Sequence, residues 1–244
     1  MKFKKNILVF SVLLSTAPLS FASSSDWSYE DISTWGSLSP DYHLCRDGAS
    51  QSPVDIRQTV EGLLPPLTLI YPPKQSSVVN NGHTVQINIK DGSEITLEGK
   101  VFTLRQFHFH TPSENRISGK SYPLEVHFVH SSDRGELAVL GVMFESGAEN
   151  PALQEILSAI PARENDEVTL QQPLDMMALI PEDRAYFRFS GSLTTPPCTE
   201  GVRWVVFRDP VSASEPQLEK LKSVLGEHGN SRATQPLNAR VIIR

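Results

Sequence analysis

Val101-Phe-Thr-Leu-Arg-Gln-Phe-His-Phe-His110 is the stretch that decides the fold. Its β-branched and aromatic residues suit a pleated strand. A strand sends alternate side chains to opposite faces, so Gln106, His108 and His110 share one face while Phe107 and Phe109 point into a core. Glu125-Val126-His127-Phe128-Val129 reads the same way, with Glu125, His127 and Val129 together and Val126 and Phe128 opposite. If the two strands are neighbours, three imidazoles can converge.

Outward from this pair the same period recurs. Val85, Ile87 and Ile89 alternate with polar residues in Thr84–Lys90, Asp91-Gly92 is a hairpin signal, and Ile95 and Leu97 resume the alternation. Leu124–His130, Leu137–Phe144, Ala185–Phe189 and Val202–Phe207 are further strands. Strands joined by short turns predict a largely antiparallel sheet. Two helices stand apart. Asn150 caps one over Pro151–Ala159, and a Ser214/Gln217 capping box opens the other over Glu215–Leu225, which Gly226 stops. No linker or repeat divides the 244 residues, which suits one sheet-dominated domain.

Residues 1–22 differ in kind. Lys2, Lys4 and Lys5 precede an apolar run, Ile7–Leu14, and Ser20-Phe21-Ala22 offers small residues for cleavage. This is the pattern of an export signal, with a buried N-terminal helix as the alternative. The run is too short to span a membrane, and no Cys follows it closely to carry a lipid. The domain is then 23–244, exported to a periplasm or secreted. In that compartment the only two cysteines, Cys45 and Cys198, are expected to form a disulfide rather than stay as two free thiols. Losing three lysines and no acids takes the formal net charge from −6 to −9. That acidity argues against a nucleic-acid partner, which calls for clustered Lys and Arg.

Three neutral nitrogen donors suit zinc with a fourth position left open for water. Structural zinc sites usually take four protein ligands, often cysteines, so a three-histidine set reads as catalytic. Gln106 and Glu125, each two residues before a histidine on its own face, are placed to orient ligating rings. Periodicity leaves one alternative open: ordinary strand histidines.

Gln-Phe-His-Phe-His at 106–110, Glu-Val-His at 125–127 and Gly-Ser-Leu-Thr-Thr-Pro-Pro-Cys at 191–198 together resemble an alpha-class carbonic anhydrase. So do Gln51–Ile56 and Asn80-Asn81-Gly82-His83, and the likeness runs from about Trp27 to Gln235. It implies a mainly β single domain on a large twisted, mostly antiparallel sheet of about ten strands, with a few short peripheral helices. It implies zinc on His108, His110 and His127, and reversible hydration of carbon dioxide to bicarbonate and a proton by zinc-bound hydroxide. Gln106, Glu125 and the backbone carbonyl of Asn230 match the groups behind the three ligands. Thr194 matches a gatekeeper that donates to an ionised Glu114. Val129, Leu193 and Trp204 match an apolar wall for carbon dioxide, and Thr195 a bicarbonate contact.

His83 matches a proton shuttle, and Tyr29, Asn81 and Gln86 match polar positions along its water chain. The family often has Asn where Gln86 stands, which leaves the shuttle rate open. A shuttle answers a rate problem. A group of pKa ~7 releases protons to water at only ~10³ per second if recapture is near the diffusion limit of ~10¹⁰ M⁻¹s⁻¹. Carbonic anhydrases themselves turn over at ~10⁶ per second. His43, His130 and His228 are expected to be structural. Cys45–Cys198 would tether the Thr194 loop, and Ser52-Pro53 and Pro196-Pro197 match cis peptides. Exported relatives are commonly dimers, but no interface is legible. A catalytically silent relative and a zinc-dependent esterase are the competing readings. The first typically lacks ligands that are present here, and the second calls for a larger pocket.

Overall fold

A computed structural model describes residues 27–90, 92–226 and 228–244. The export signal expected at 1–22, Ser23–Ser25 and Asp91 of the hairpin signal lie outside the described residues.

Fifteen strands form among the described residues. The first six are β1 (Asp55–Ile56), β2 (Thr59–Val60), β3 (Thr68–Ile70), β4 (Ser76–Asn80), β5 (Val85–Ile89) and β6 (Glu94–Leu97). The central ones are β7 (Lys100–His110), β8 (Arg116–Ile117), β9 (Leu124–Ser131) and β10 (Leu137–Ser146). The last are β11 (Glu167–Thr169), β12 (Tyr186–Ser192), β13 (Glu200–Phe207), β14 (Val211–Ala213) and β15 (Ile242–Ile243). The helices are α1 (Trp35–Leu38), α2 (Leu44–Asp47), α3 (Pro151–Ser158) and α4 (Glu215–Leu225), besides short 3-10 turns.

Thirteen strands make one sheet, with a ten-strand path β11-β4-β5-β7-β9-β10-β13-β12-β15-β2. β14 joins β10, and β6 joins β7 and carries β3. The expected, mostly antiparallel sheet is present, but it is larger than about ten strands and includes some parallel pairs. β10 pairs in parallel with both β13 and β14, and β15 pairs in parallel with β2. Parallel neighbours need a long return connection, and the chain between β10 and β13 supplies one that holds α3, β11 and β12.

The sheet has apolar side chains on both faces. One face carries Phe102, Leu104, Phe107, Phe109, Val126 and Phe128, under α3 and α4. The other carries Val139, Met143, Phe189, Trp204 and Val206 beside the histidines. The helices begin as their residues predict. Asn150 Oδ1 accepts from the Leu153 amide, and Pro151 takes the first turn, where its missing N–H costs nothing. Gln217 Oε1 accepts from the amides of both Ser214 and Asn150, while its Nε2 donates to the Asn150 carbonyl. One buried amide thus caps α4 and docks it on α3.

Cys45 and Cys198 are joined by a disulfide. Ser52-Pro53 and Pro196-Pro197 are cis, as is Thr111-Pro112.

Candidate metal centre

β7 and β9 run antiparallel, with His108 directly across from His127 and His110 across from Glu125. Cross-strand partners share a face, so the three histidines meet on the side away from Phe107 and Phe109. That outcome depends on an irregularity. The register shifts between Leu104 and Gln106, which leaves Arg105 as an extra, exposed residue. Before it the even positions Phe102 and Leu104 are buried in the aromatic core; after it the odd positions Phe107 and Phe109 are. A one-residue bulge exchanges the two faces of a strand. Strict alternation across Val101–His110 would have put Phe102 and Leu104 beside the histidines.

Each ring turns one nitrogen to a protein acceptor and leaves the other over. His108 Nδ1 donates to Gln106 Oε1 at 2.8 Å, and His110 Nδ1 to the Asn230 carbonyl at 2.8 Å. His127 Nε2 stands 3.0 Å from Glu125 Oε1. Glu125 is itself held at both oxygens by Asn115, through its backbone amide and its side-chain Nδ2. The nitrogens that remain are Nε2 of His108, Nε2 of His110 and Nδ1 of His127. One nitrogen from each ring lies within 4.8 Å of the others. His110 Nε2 is fully buried with no hydrogen-bond partner, an unfavourable state unless it ligates. Burial, followed by the neighbouring His110 and His127, drives His108 well below the usual imidazole range; burial also lowers His110. Rings kept neutral are what a metal requires. Three convergent ring nitrogens with their far sides fixed fit zinc in its three-protein-ligand form.

Glu114 faces this centre. Its Oε2 lies 3.4 Å from His110 Nε2 and 3.7 Å from His127 Nδ1, and its Oε1 accepts from the Arg232 amide. Burial pushes its carboxyl up to about 7, against His127, the Arg232 amide and the Thr194 side chain, which all favour the charged form. A cation on the three nitrogens acts in the same direction as those three groups. Glu125 is buried too, yet His127 and the bonds from His127 and Asn115 hold its pKa below the ordinary carboxylate value.

Trp204 closes one side. Its ring meets His127 edge-on with centroids 4.9 Å apart, and its Nε1 donates to the Ser192 carbonyl. Val129 and Leu193 pack, half-buried, on the same cluster. Thr194 is buried and Thr195 half-buried in the loop that Cys198 fastens, where the Cys198 amide donates to the Thr195 carbonyl.

His83 lies farther out, in the turn between β4 and β5. Asn81 Oδ1 accepts from the amides of His83 and Thr84, so this side chain shapes the turn. Gln86 lies across from His108, and its Nε2 donates to Asn88 Oδ1. Tyr29 is half-buried, and its phenol is held well above its usual pKa by burial and by Glu114.

Sequence reading passed over four residues here. Trp27 stacks on the His83 ring with centroids 3.9 Å apart. Asn115 holds Glu125. Gly141 lies beside that carboxylate, and a Cβ there would sit 2.9 Å from Glu125 Oε1. Arg232, 3% exposed, binds Gln51 Oε1 and the carbonyls of Ser52 and Cys45. A buried guanidinium marked Arg232, but its partners lie some 180 residues away. The histidines left as structural have partners of their own or stand apart from the three. His43 Nδ1 meets the Pro40 carbonyl, His130 meets Tyr71, and His228 is exposed.

A family model described as eukaryotic-type carbonic anhydrase matches residues 30–244. A carbonic anhydrase of Pectobacterium carotovorum is 46% identical over the full length of both chains. The alpha-carbonic anhydrase of Thermovibrio ammonificans, solved with the inhibitor sulfanilamide, superposes with a TM-score of 0.88 at 44% identity, over 90% of this chain and 99% of that one. The alpha-carbonic anhydrase of Photobacterium profundum gives 0.85 at 48%, over 90% and 100%. These likenesses span nearly the whole chain, and the chain therefore belongs to the alpha-class carbonic anhydrases, the family that hydrates carbon dioxide.

Proposed function

We propose that the chain is a zinc enzyme that hydrates carbon dioxide reversibly, with His108, His110 and His127 as ligands and His83 as its proton shuttle. The observation that carries this reading is the set of three convergent ring nitrogens, on rings whose other nitrogens face Gln106, Asn230 and Glu125.

Zinc, when bound, supplies a Lewis acid and a water whose pKa falls to ~7, the figure characteristic of carbonic anhydrases themselves. The remaining work falls to side chains. Gln106, Asn230 and Glu125 fix the tautomers, so each ring presents its free nitrogen without rotating. Thr194 would donate a hydrogen bond from its hydroxyl to ionised Glu114, which leaves its oxygen to accept a hydrogen bond from the nucleophile. That arrangement orients the nucleophile at its target, a positioning effect. Val129, Leu193 and Trp204 offer carbon dioxide an apolar wall, suited to a molecule with little to hydrogen-bond, and Thr195 meets bicarbonate at its edge. His83 takes the proton released in each turnover toward solvent. Asn81 acts there by shaping the turn, and Tyr29 and Gln86 line the approach.

The composition of residues 1–22 and the disulfide support export, to a periplasm or beyond, with the domain at 23–244.

His108→Ala tests the centre. Bound zinc and stopped-flow hydration should both be nearly abolished, and full activity in a metal-free variant would refute the reading. His83→Ala should lower turnover in a way that added imidazole buffer partly restores. Failure of that rescue would remove His83 from the proton path.

A further inference from the structure

A cleft of about 700 Å³ lies beside His83, and Tyr29, Glu30, Gly82, His228 and Asn230 also line it. It contains two imidazoles, from parts of the chain 145 positions apart. His228 plays no part in the function proposed above. We propose that His228 is a second proton relay, which takes the proton from His83 and hands it to buffer.

Four observations support this. Trp27 covers one face of the His83 ring at 3.9 Å, so the ring is not open to buffer on every side. His228 is exposed, where a buffer molecule can reach it. The turn that carries it is fastened. The Gly229 amide donates to the Gly226 carbonyl, and the Asn230 amide to the Thr111 carbonyl. Gly229 has φ 72, and a Cβ there would meet the Thr111 oxygen at 2.0 Å, so the turn can lie this close only with glycine. Finally, Asn230 Nδ2 donates to the His83 carbonyl at 3.1 Å, which ties the two histidine-bearing segments together.

The chemistry is balanced. An N–H bond of the His83 imidazolium breaks and one forms on His228, so one ring returns to neutral as the other becomes charged. Donor and acceptor are the same chemical group, so the transfer has no large intrinsic penalty. The cleft has room for bridging water. Glu30 adds a carboxylate to the same lining, and Tyr29, held protonated by burial and Glu114, does not compete for the proton near neutrality.

This relay rests on the hydration reading, and the experiment separates the two. Stopped-flow hydration is measured on the zinc-loaded chain at limiting buffer concentration. His228→Ala should lower kcat several-fold and leave kcat/KM unchanged, because the proton leaves after carbon dioxide has reacted. Saturating imidazole should restore kcat. In a His83→Ala background the second substitution should add nothing, since the relay lies downstream. Unchanged kcat in His228→Ala at limiting buffer would overturn the proposal. So would an equal fall in kcat and kcat/KM, the mark of a structural role, or a further loss in the double variant. If the wild-type chain shows no hydration, the site reading itself fails and the relay with it.

Discussion

Gly141 lies directly across from His127 on β10, and the missing side chain is what lets the Glu125 carboxylate reach that ring. Asn115 pins both Glu125 oxygens, so the carboxylate has little freedom to yield. Val206 Cγ2 crowds the same spot at 3.3 Å. Gly141→Val should therefore displace Glu125 from His127 and weaken zinc binding by about 10–100-fold, the usual cost of losing a group that orients a ligand. Chelator competition measures this directly, and wild-type affinity in the variant would show that the contact is dispensable. A glycine inside Leu137–Phe144 looks in sequence like a weak point in a strand. Its reason appears only when the strand is laid beside Glu125.

At the scale of elements, legibility tracked the range of the interactions. The cores of β5, β7 and β9 follow from period two, β10 and β13 from β-branched and aromatic composition, and α3 and α4 from their caps, because those signals are local. Parallel pairing of β10 with β13 was not legible, since nothing in either strand encodes which neighbour it takes across a long crossover. Of the centre, the histidines and the groups two residues before them were legible from strand geometry. Glu114 and Thr194 were legible only through the family likeness, and Asn115, Trp27 and Arg232 not at all. The bulge at Arg105 was hidden because an extra residue leaves no mark in composition, yet it sets which face the histidines occupy. Deleting Arg105 should therefore slip the register by one residue, send either the histidines or Phe102 and Leu104 to the wrong face, and abolish zinc binding or folding. Arg105→Ala keeps the residue count and removes an exposed side chain, which bonds Ser131 Oγ, so it should fold and bind zinc. Circular dichroism and zinc content compare the two. Equal behaviour of both variants would mean that the bulge does not set the register.

For the molecule as a whole, His130 links the fold to pH. It is fully buried between β7 and β10, outside the proposed chemistry. Its Nδ1 donates to the Ala138 carbonyl at 3.3 Å, so Nε2 accepts the Tyr71 hydroxyl at 2.5 Å. The Tyr71 bond occupies the site of a second ring proton, and burial lowers the pKa to about 3 although the Ala138 and Phe128 carbonyls favour the charged ring. The unfolded chain, with an ordinary imidazole near ~6.5, binds that proton far more readily. Between those values the unfolded state holds about one proton more than the native state, so this contribution is complete above pH ~6.5 and is lost as pH falls toward 3. The slope is ~1.4 kcal/mol per pH unit, and the full span is on the order of 5 kcal/mol, a large share of a typical domain's stability. His130→Gln keeps an acceptor for Tyr71 and removes the titration. The zinc ligands and Glu125 add their own acid sensitivity to both proteins, so the difference between the two curves isolates His130. Denaturant midpoints of wild type and variant across pH 4–7 should converge as the pH falls, or cross, with the variant's dependence shallower by about one proton. Parallel curves would mean that His130 titrates alike in the folded and unfolded chain, and that its burial imposes no acid limit on the fold.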